Sequence, residues 1–507
     1  MPGLVLLVKT KEIYPSHDGL FHVQRINEFN ESISRGLFPP RIAPILYDSI
    51  GYPLFVANYQ LPYYISFIPM SLTNDPIFSY KIVIGICYLL SSIFAFFLFK
   101  NLGSNFSSLV GTILYSYAPY RFANMYTRGA FGEFIALTFV PAVLLAFHLI
   151  KGGSRWGAVF LVISFFGLIT SHVILFYIYI PFFIFYCILF IKCDFRFIKK
   201  VLLSLVFAIL LSSFQILPII YERKFLRLEE TFLSVYKDHF LNLFQILRIP
   251  INEVHLGTPF QIGLPLTIVF VMAFIYSIVK KSYKTLLIVI SLVFYVLLIT
   301  PQAKNIWDSL NFLHYVIFPW RFLSLIVILG AILSVLVLDK IRLRLVFGFT
   351  LILLAIVTSR HYFLTPTQIF STTPPDVPTS PNEYDTIWTN DITYSKLPLI
   401  FSSPETMLNI YSSGGPNISF ESISSMDTNV VVRRLFFPGW IVTINGRAVE
   451  TFPYFGLISF NVPSGISKID VSFNESKIRG FADFITLVSL FFFTLWIVRI
   501  KTKVKLS

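Results

Sequence analysis

The chain has 507 residues, of which 55% are hydrophobic, 17% aromatic and only 13% charged. Soluble globular chains carry about 25% charged residues, so these figures and a mean hydropathy of +0.74 exclude a cytosolic enzyme, a disordered chain and a fibrous repeat. The formal charge of +14 falls at the ends of apolar runs, so no nucleic-acid partner is expected.

In chain order, Met1–Val8 is apolar but too short to cross a bilayer, and it lacks the charged start and cleavage site of a signal peptide. It reads as the remnant of a first transmembrane helix. Residues 9–77 form a first extracytoplasmic segment with an amphipathic helix. Asp18 stands at the N-cap of that helix, which runs to about Arg35 and is stopped by Gly36 and Pro39-Pro40. Asp18, His22, Arg25 and Phe29 share one helical face. A carboxylate, an imidazole and a guanidinium together can handle an anionic substrate and a proton; the alternative is a capping Asp on a solvated face.

Residues 78–359 carry a series of apolar runs long enough to span. They lie at roughly 78–99, 106–120, 130–150, 156–171, 173–191, 201–221, 262–279, 285–300, 322–338 and 345–359, with a further run at 481–499 and a shorter, partial one at 61–74. The expected fold is therefore an α-helical polytopic membrane protein with about eleven transmembrane helices. Lys and Arg concentrate in alternate loops: Lys100, Lys151 and Arg155, Lys192 to Lys200, Lys280 to Lys284, Lys340 to Arg344, and the tail of segment 481–507. Basic loops face the cytoplasm, which puts segments 9–77, 222–261, 301–320 and 360–480 outside. Segment 360–480 opens with a Pro/Ser/Thr-rich linker and turns strand-like in VVVRRLFF, GWIVTI, LISFNV and KIDVSF, with a hairpin signal at Asn445-Gly446. It is expected to be a small extracytoplasmic antiparallel β-sandwich.

Ionisable residues at membrane depth are functional candidates by default. Arg128 and Glu133 in YTRGAFGEF are separated by glycines that permit close approach of a backbone; they either pair with each other or line a cavity. His172 lies between two apolar runs, Gln215 inside one, and Arg321 in FPWRF at the start of another. Under the charge-derived topology, Asp18, His22, Arg25, Arg128, Glu133, His172 and Arg321 all map to the outer leaflet. That clustering points to a cavity open to the outside.

The runs HDGLFHVQRI, RGLFPPRI, GYPLFVANYQLPYY, YTRGAFGEFIAL and FPWRF resemble bacterial and archaeal membrane proteins labelled 6-pyruvoyl-tetrahydropterin synthase-related. The tail FPGWIVTINGRAVE with VPSGISKIDVSF resembles the C-terminal part of YfhO-like membrane proteins. Both families resemble the GT-C glycosyltransferases, which carry an acidic residue in the first outer loop and use polyprenyl-phosphate-linked sugars on the outer face. The resemblance implies a GT-C-type fold in the plasma membrane. It also implies sugar transfer from a lipid-linked donor to an extracytoplasmic glycan, lipid or protein acceptor. Asp18 stands at the matching acidic position and would be the base, with His22 as its catalytic partner. His17, Arg25, Arg41, Tyr59, Arg128, Glu133, His172 and Arg321 form the expected substrate-binding set. No DxD motif accompanies Asp18, so no metal is expected, and no other cofactor. Two other classes compete. A transporter or flippase for a lipid-linked or anionic substrate would show internal repeats and midplane charges. A non-catalytic scaffold in surface-polysaccharide assembly would use the β domain as its interaction part.

Overall fold

A computed structural model describes residues 4, 7, 12–14, 16–228, 234–248, 260–363, 384–389, 397–402, 406–412 and 417–505. Most of Met1–Val8 and of the Pro/Ser/Thr-rich linker therefore lies outside the described residues.

The chain is mostly helical, with a β domain near its C-terminus. Helix α1 (Gly19–Ser34) buries Val23, Ile26 and Phe29, and with them His22, Arg25 and Glu28. Its C-terminus closes as the glycine predicts: Gly36 adopts φ 79°, Gly36 N–H donates to Ile33 O and Leu37 N–H to Ser32 O, the paired bonds of a Schellman motif. The N-terminus departs from expectation. Asp18 occupies the N-cap position but its side chain accepts no capping bond; Ser16 Oγ instead accepts from Gly19 N–H at 3.2 Å. The carboxylate is thus left for other work.

The expected spans correspond to helices α2 (Leu61–Thr73), α3 (Pro76–Phe99), α4 (Asn105–Ser116), α5 (Phe131–Lys151), α6 (Gly157–Ser171), α7 (Val173–Phe190), α8 (Phe195–Leu211), α9 (Ser213–Glu222), α10 (Leu264–Val279), α11 (Tyr283–Leu298), α12 (Leu323–Leu338), α13 (Arg344–Thr358) and α14 (Lys477–Lys505). Length and apolarity qualify five of them as spans, with α12 counted from Pro319, or seven if two bent pairs are each one span. The expected eleven is therefore not reached by length alone, for local reasons. The 201–221 run bends by 67° between α8 and α9, and the 283–298 helix meets residues 301–309 at 84°. The 106–120 run stops at Ser116, before Pro119 and a π-helix at Ala123–Arg128. At Ser171-His172 the chain breaks cleanly, because His172 is extended (φ −165°, ψ 94°) and caps α7 through its own ring. Helices α5 and α12 are the most enclosed and α14 the least.

The β domain has two antiparallel sheets. With β1 (Ile400–Phe401), β2 (Met407–Ser412), β3 (Ile418–Ser424), β4 (Thr428–Leu435), β5 (Trp440–Ile444), β6 (Arg447–Val449), β7 (Phe452–Tyr454), β8 (Leu457–Val462) and β9 (Gly465–Phe473), the orders are β1-β4-β8-β7 and β2-β3-β9-β5-β6. Val430, Val432, Ile458 and Phe460 of one sheet share a core with Ile418, Phe420, Val442, Ile469 and Val471 of the other. Asn445 (φ 49°) and Gly446 (φ 80°) join β5 to β6, pairing Ile444 with Arg447 in the primed-turn geometry their sequence favours. The Pro463–Gly465 turn joins β8 to β9 across the two sheets rather than within one.

Candidate functional site

Seven separated stretches of sequence converge on one cavity of about 840 Å³. Helix α1 contributes Asp18, Phe21, His22 and Arg25, and the loop before α2 contributes Asn58 and Tyr59. Arg128 and Glu133 flank the start of α5, and His172, Val173, Ile174 and Tyr177 form the start of α7. Gln215, Ile219 and Arg223 come from the bent α8–α9 pair and its end; Phe312, Tyr315, Ile317, Phe318 and Arg321 from the segment leading into α12; and Tyr384 from beyond the linker.

Glycine makes the central contact possible. Gly129 has φ 66°, and a Cβ there would stand 2.6 Å from Gly19 N. This close approach lets His17 N–H donate to Thr127 O at 2.9 Å and Asp18 N–H to Arg128 O at 2.7 Å. The start of α1 is thereby laced onto the π-helix, which places the Asp18 carboxylate where it acts electrostatically on Arg128. Gly132 does the same for Tyr59: a Cβ would lie 2.3 Å from the Tyr59 ring, and Gly132 N–H donates to Tyr59 Oη at 3.3 Å.

Glu133 is the hub of the polar wall and is fully buried. Its Oε2 accepts from Arg128 Nη1 at 2.9 Å and Arg321 Nε at 3.2 Å. Its Oε1 accepts from Tyr120 Oη and Asn124 Nδ2. With both oxygens doubly engaged, Glu133 pairs with Arg128 and lines the cavity at once, and it has no lone pair to offer a sugar. The arginines do have capacity. Among the described residues, Arg128 spends Nη1 on Glu133 and Asn124, and Arg321 spends Nε on Glu133 and Nη1 on Val316 O. This leaves both Nη2 groups available to the cavity. Trp320 and Phe318 lie under the two guanidiniums, at 4.2 Å and 4.9 Å from centroid to Cζ, and fix their planes.

His22 is buried, and burial holds its imidazole well below its usual pKa, with the Arg25 and Arg128 charges adding to the depression. Its Nδ1 meets Tyr63 Oη at 3.0 Å and its Nε2 meets Tyr59 Oη at 3.3 Å. Both nitrogens are taken by phenols, so His22 positions tyrosines rather than Asp18. His172 Nδ1 accepts from Leu175 N–H at 3.2 Å, which makes it a cap of α7 as well as a lining residue. Arg25 lies 5.7 Å from the Tyr384 ring centroid.

Two expected residues are elsewhere. His17 is exposed and is not among the lining residues. Arg41 is fully buried away from the cavity: Nε donates to Glu475, Nη1 to Phe214 O, and Nη2 to both oxygens of Asp483. It is a clamp between the first segment and α14. Nothing in the sequence singles out Asn58, Arg223 or Tyr384, because they sit in irregular segments without periodicity. Among the described residues, no group of three His, Cys, Asp or Glu is placed to hold a metal ion.

The cavity also has an apolar wall, to which Val173, Ile174, Tyr177, Ile219, Leu228, Phe312 and Ile317 contribute. Val173, Tyr177, Phe312 and Tyr315 are themselves exposed, so this wall reaches the surface between α7 and the 311–318 segment. The lining thus offers guanidiniums to an anionic group and apolar side chains to a hydrocarbon chain.

No curated protein matches the chain. A solved structure of the Archaeoglobus fulgidus oligosaccharyltransferase in its apo form is similar over 76% of this chain and 60% of that one, at 13% identity and a TM-score of 0.44; the chain thus matches less than two thirds of that enzyme's length. Residues 57–365 match the 6-pyruvoyl-tetrahydropterin synthase related domain, a membrane-protein family. That match spans more than half of the sequence, from the loop carrying Asn58 and Tyr59 through Arg128 and Arg321 to the end of α13, and the chain is a member of this family of membrane proteins.

Proposed function

We propose that this chain is a GT-C-type glycosyltransferase of the plasma membrane. It would move a sugar from a polyprenyl-phosphate-linked donor to a hydroxyl of an extracytoplasmic glycan, lipid or protein. The observation that carries the reading is the cavity itself, where an uncapped carboxylate, two guanidiniums with unspent donors and an apolar wall reaching the surface meet. The alternation of basic loops supports an outward-facing cavity, where a lipid-linked donor is the available form of activated sugar.

In this reaction Asp18 takes the proton of the acceptor hydroxyl as its oxygen bonds to the anomeric carbon. The bond from that carbon to the phosphate oxygen breaks, and the electron pair leaves on the lipid phosphate. Arg128 and Arg321 stabilise the developing charge, since planar guanidiniums bind phosphate oxygens bidentately. Glu133 holds them in register and keeps their like charges together. The lipid chain lies along Ile174, Tyr177, Phe312 and Ile317. The β domain and residues 9–77 are extracytoplasmic in this arrangement, 78–359 form the multi-span domain, and the 481–507 tail is cytoplasmic.

The test is Asp18→Asn, assayed for transfer from a panel of sugar esters of polyprenyl phosphate in reconstituted membranes. A general base contributes roughly 10²–10⁴-fold, so transfer should fall by that factor. Expression and unfolding temperature should hold, because the side chain caps nothing. Undiminished transfer in Asp18→Asn would remove the base from the mechanism. A protein without measurable transfer whose lipid movement across the bilayer responds to this substitution would be a transporter instead.

A further inference from the structure

We propose that Asn58, with Gln215, reads the uncharged oxygen-bearing part of the ligand, a sugar hydroxyl or amide carbonyl, separately from its phosphate. This rests on the transfer reaction proposed above. Asn58 lines the cavity and is 3% exposed. Its Oδ1 accepts from Tyr59 N–H at 2.8 Å, which fixes the amide the one way round. The remaining end, Nδ2, is a buried donor with no hydrogen-bond partner among the described residues. A buried donor left unmade is costly, and because Asn58 lines the cavity a bound ligand can supply the missing acceptor. Gln215 repeats the arrangement. It is also buried and also lines the cavity, and its Oε1 is spent on Gln60 N–H at 3.0 Å, so it too presents its NH₂ end.

Two amides locked by consecutive backbone N–H groups present neutral donors, while the charged donors come from Arg128 and Arg321. Phosphate oxygens favour the guanidiniums, because charge-assisted bonds are about twice as strong as neutral ones. With the guanidiniums taken by the phosphate, the neutral oxygens of the ligand fall to the amide donors. A site built around a hydroxyl rejects analogues lacking it, since the buried donor is then left unpaired.

The experiment uses the full chain in nanodiscs with defined probes: decaprenyl methyl phosphate, and decaprenyl phosphate esterified to mannose, glucose or N-acetylglucosamine. All four carry the same diester charge. The wild-type chain should hold at least one sugar ester more tightly than the methyl ester. Asn58→Ala should lower that preference about tenfold while the methyl ester binds within twofold of wild type. Asn58→Asp keeps the acceptor for Tyr59 N–H, so its fold is safeguarded, and it should lose the preference as well. A preference unchanged in both variants, or all four probes weakened alike, overturns the assignment. A wild-type chain that binds the methyl ester with no preference for any sugar also overturns it, yet leaves the phosphate end of the transfer reading standing. A wild-type chain that binds none of the probes removes the transfer reading itself, and this inference with it.

Discussion

Two clusters of buried arginine and carboxylate tie distant parts of this chain together, and they are built to opposite ends. In the clamp, Arg41 donates to Glu475, Phe214 O and Asp483, using every nitrogen of its guanidinium. Next to it, Arg479 Nε donates to Glu222 at 2.9 Å and Nη2 to Pro438 O, joining α9 to the β domain. In the cavity, the order is inverted: the carboxylate of Glu133 is saturated and the arginines are not. Arg41, with every guanidinium nitrogen engaged, is a fastening, whereas a saturated carboxylate between two unsaturated guanidiniums is a receptor for a third anion. The clamp sets two arginines against Glu222, Glu475 and Asp483, whereas Arg128 and Arg321 share Glu133, and that ratio is what leaves guanidinium capacity in the cavity.

The contrast is broken hardest at its hub. Glu133→Gln leaves Arg128 and Arg321 buried side by side without the carboxylate that bonds them both. Removing one partner of a buried ion pair costs about 3–5 kcal/mol, so the unfolding temperature in detergent should drop steeply and binding of polyprenyl phosphate should vanish in whatever folded fraction remains. Full phosphate binding by Glu133→Gln would show that the arginines need no organiser. Arg41→Met tests the other cluster. Glu475 and Asp483 are 31% and 20% exposed, so water recovers part of the loss, and a destabilisation of about 3 kcal/mol is expected. Transfer per folded molecule should be unchanged, read by pairing a thermal scan with the transfer assay. Lost transfer in a folded Arg41→Met protein would erase the division between clamp and cavity.

How much of this was legible in the sequence differs in the same way. Helix α1 could be read to its last turn because its signals are local: the apolar spacing of Val23, Ile26 and Phe29, then Gly36 and Pro39-Pro40. The Asn445-Gly446 turn was legible for the same reason. Convergence of Asp18, Arg128, Glu133 and Arg321 followed from charge alternation, which is a property of the whole chain and survives ignorance of packing. Arg41 and Arg25, by contrast, are the same residue type in the same segment, 9–77. Only their partners separate them, and those of Arg41 lie 434 and 442 residues away. The sequence leaves Asp18 open to capping α1 as well as to acting as the base, and nothing local distinguishes it as a cap from Ser16, which accepts that bond two residues earlier. Length and apolarity alone qualify five to seven spans, because hydropathy registers apolar runs and is blind both to bends such as the 67° break after Leu211 and to where a helix such as Gly157–Ser171 stops.

A third buried carboxylate sharpens the comparison from outside both clusters. Glu28 is fully buried on α1, yet its bonds come from neutral donors: Ile45 N–H at 3.1 Å and Gln24 Nε2 at 3.4 Å. Burial pushes its carboxyl up to about 7, against the modest opposing pull of these bonds. Because the folded-state value lies above the unfolded one near 4.5, the folded protein holds a proton that the unfolded chain releases. Stability is then greatest below pH 4.5 and declines as pH rises through 7, by roughly 2–3 kcal/mol. Glu28→Gln keeps an acceptor for Ile45 N–H and cannot ionise, so it should remove this slope and leave the variant more stable than wild type at pH 8. Urea unfolding of both proteins between pH 4.5 and 8 reads the difference directly. Parallel profiles would mean that Glu28 is ionised in the folded state, and that a buried carboxylate in this protein needs no arginine to hold its charge.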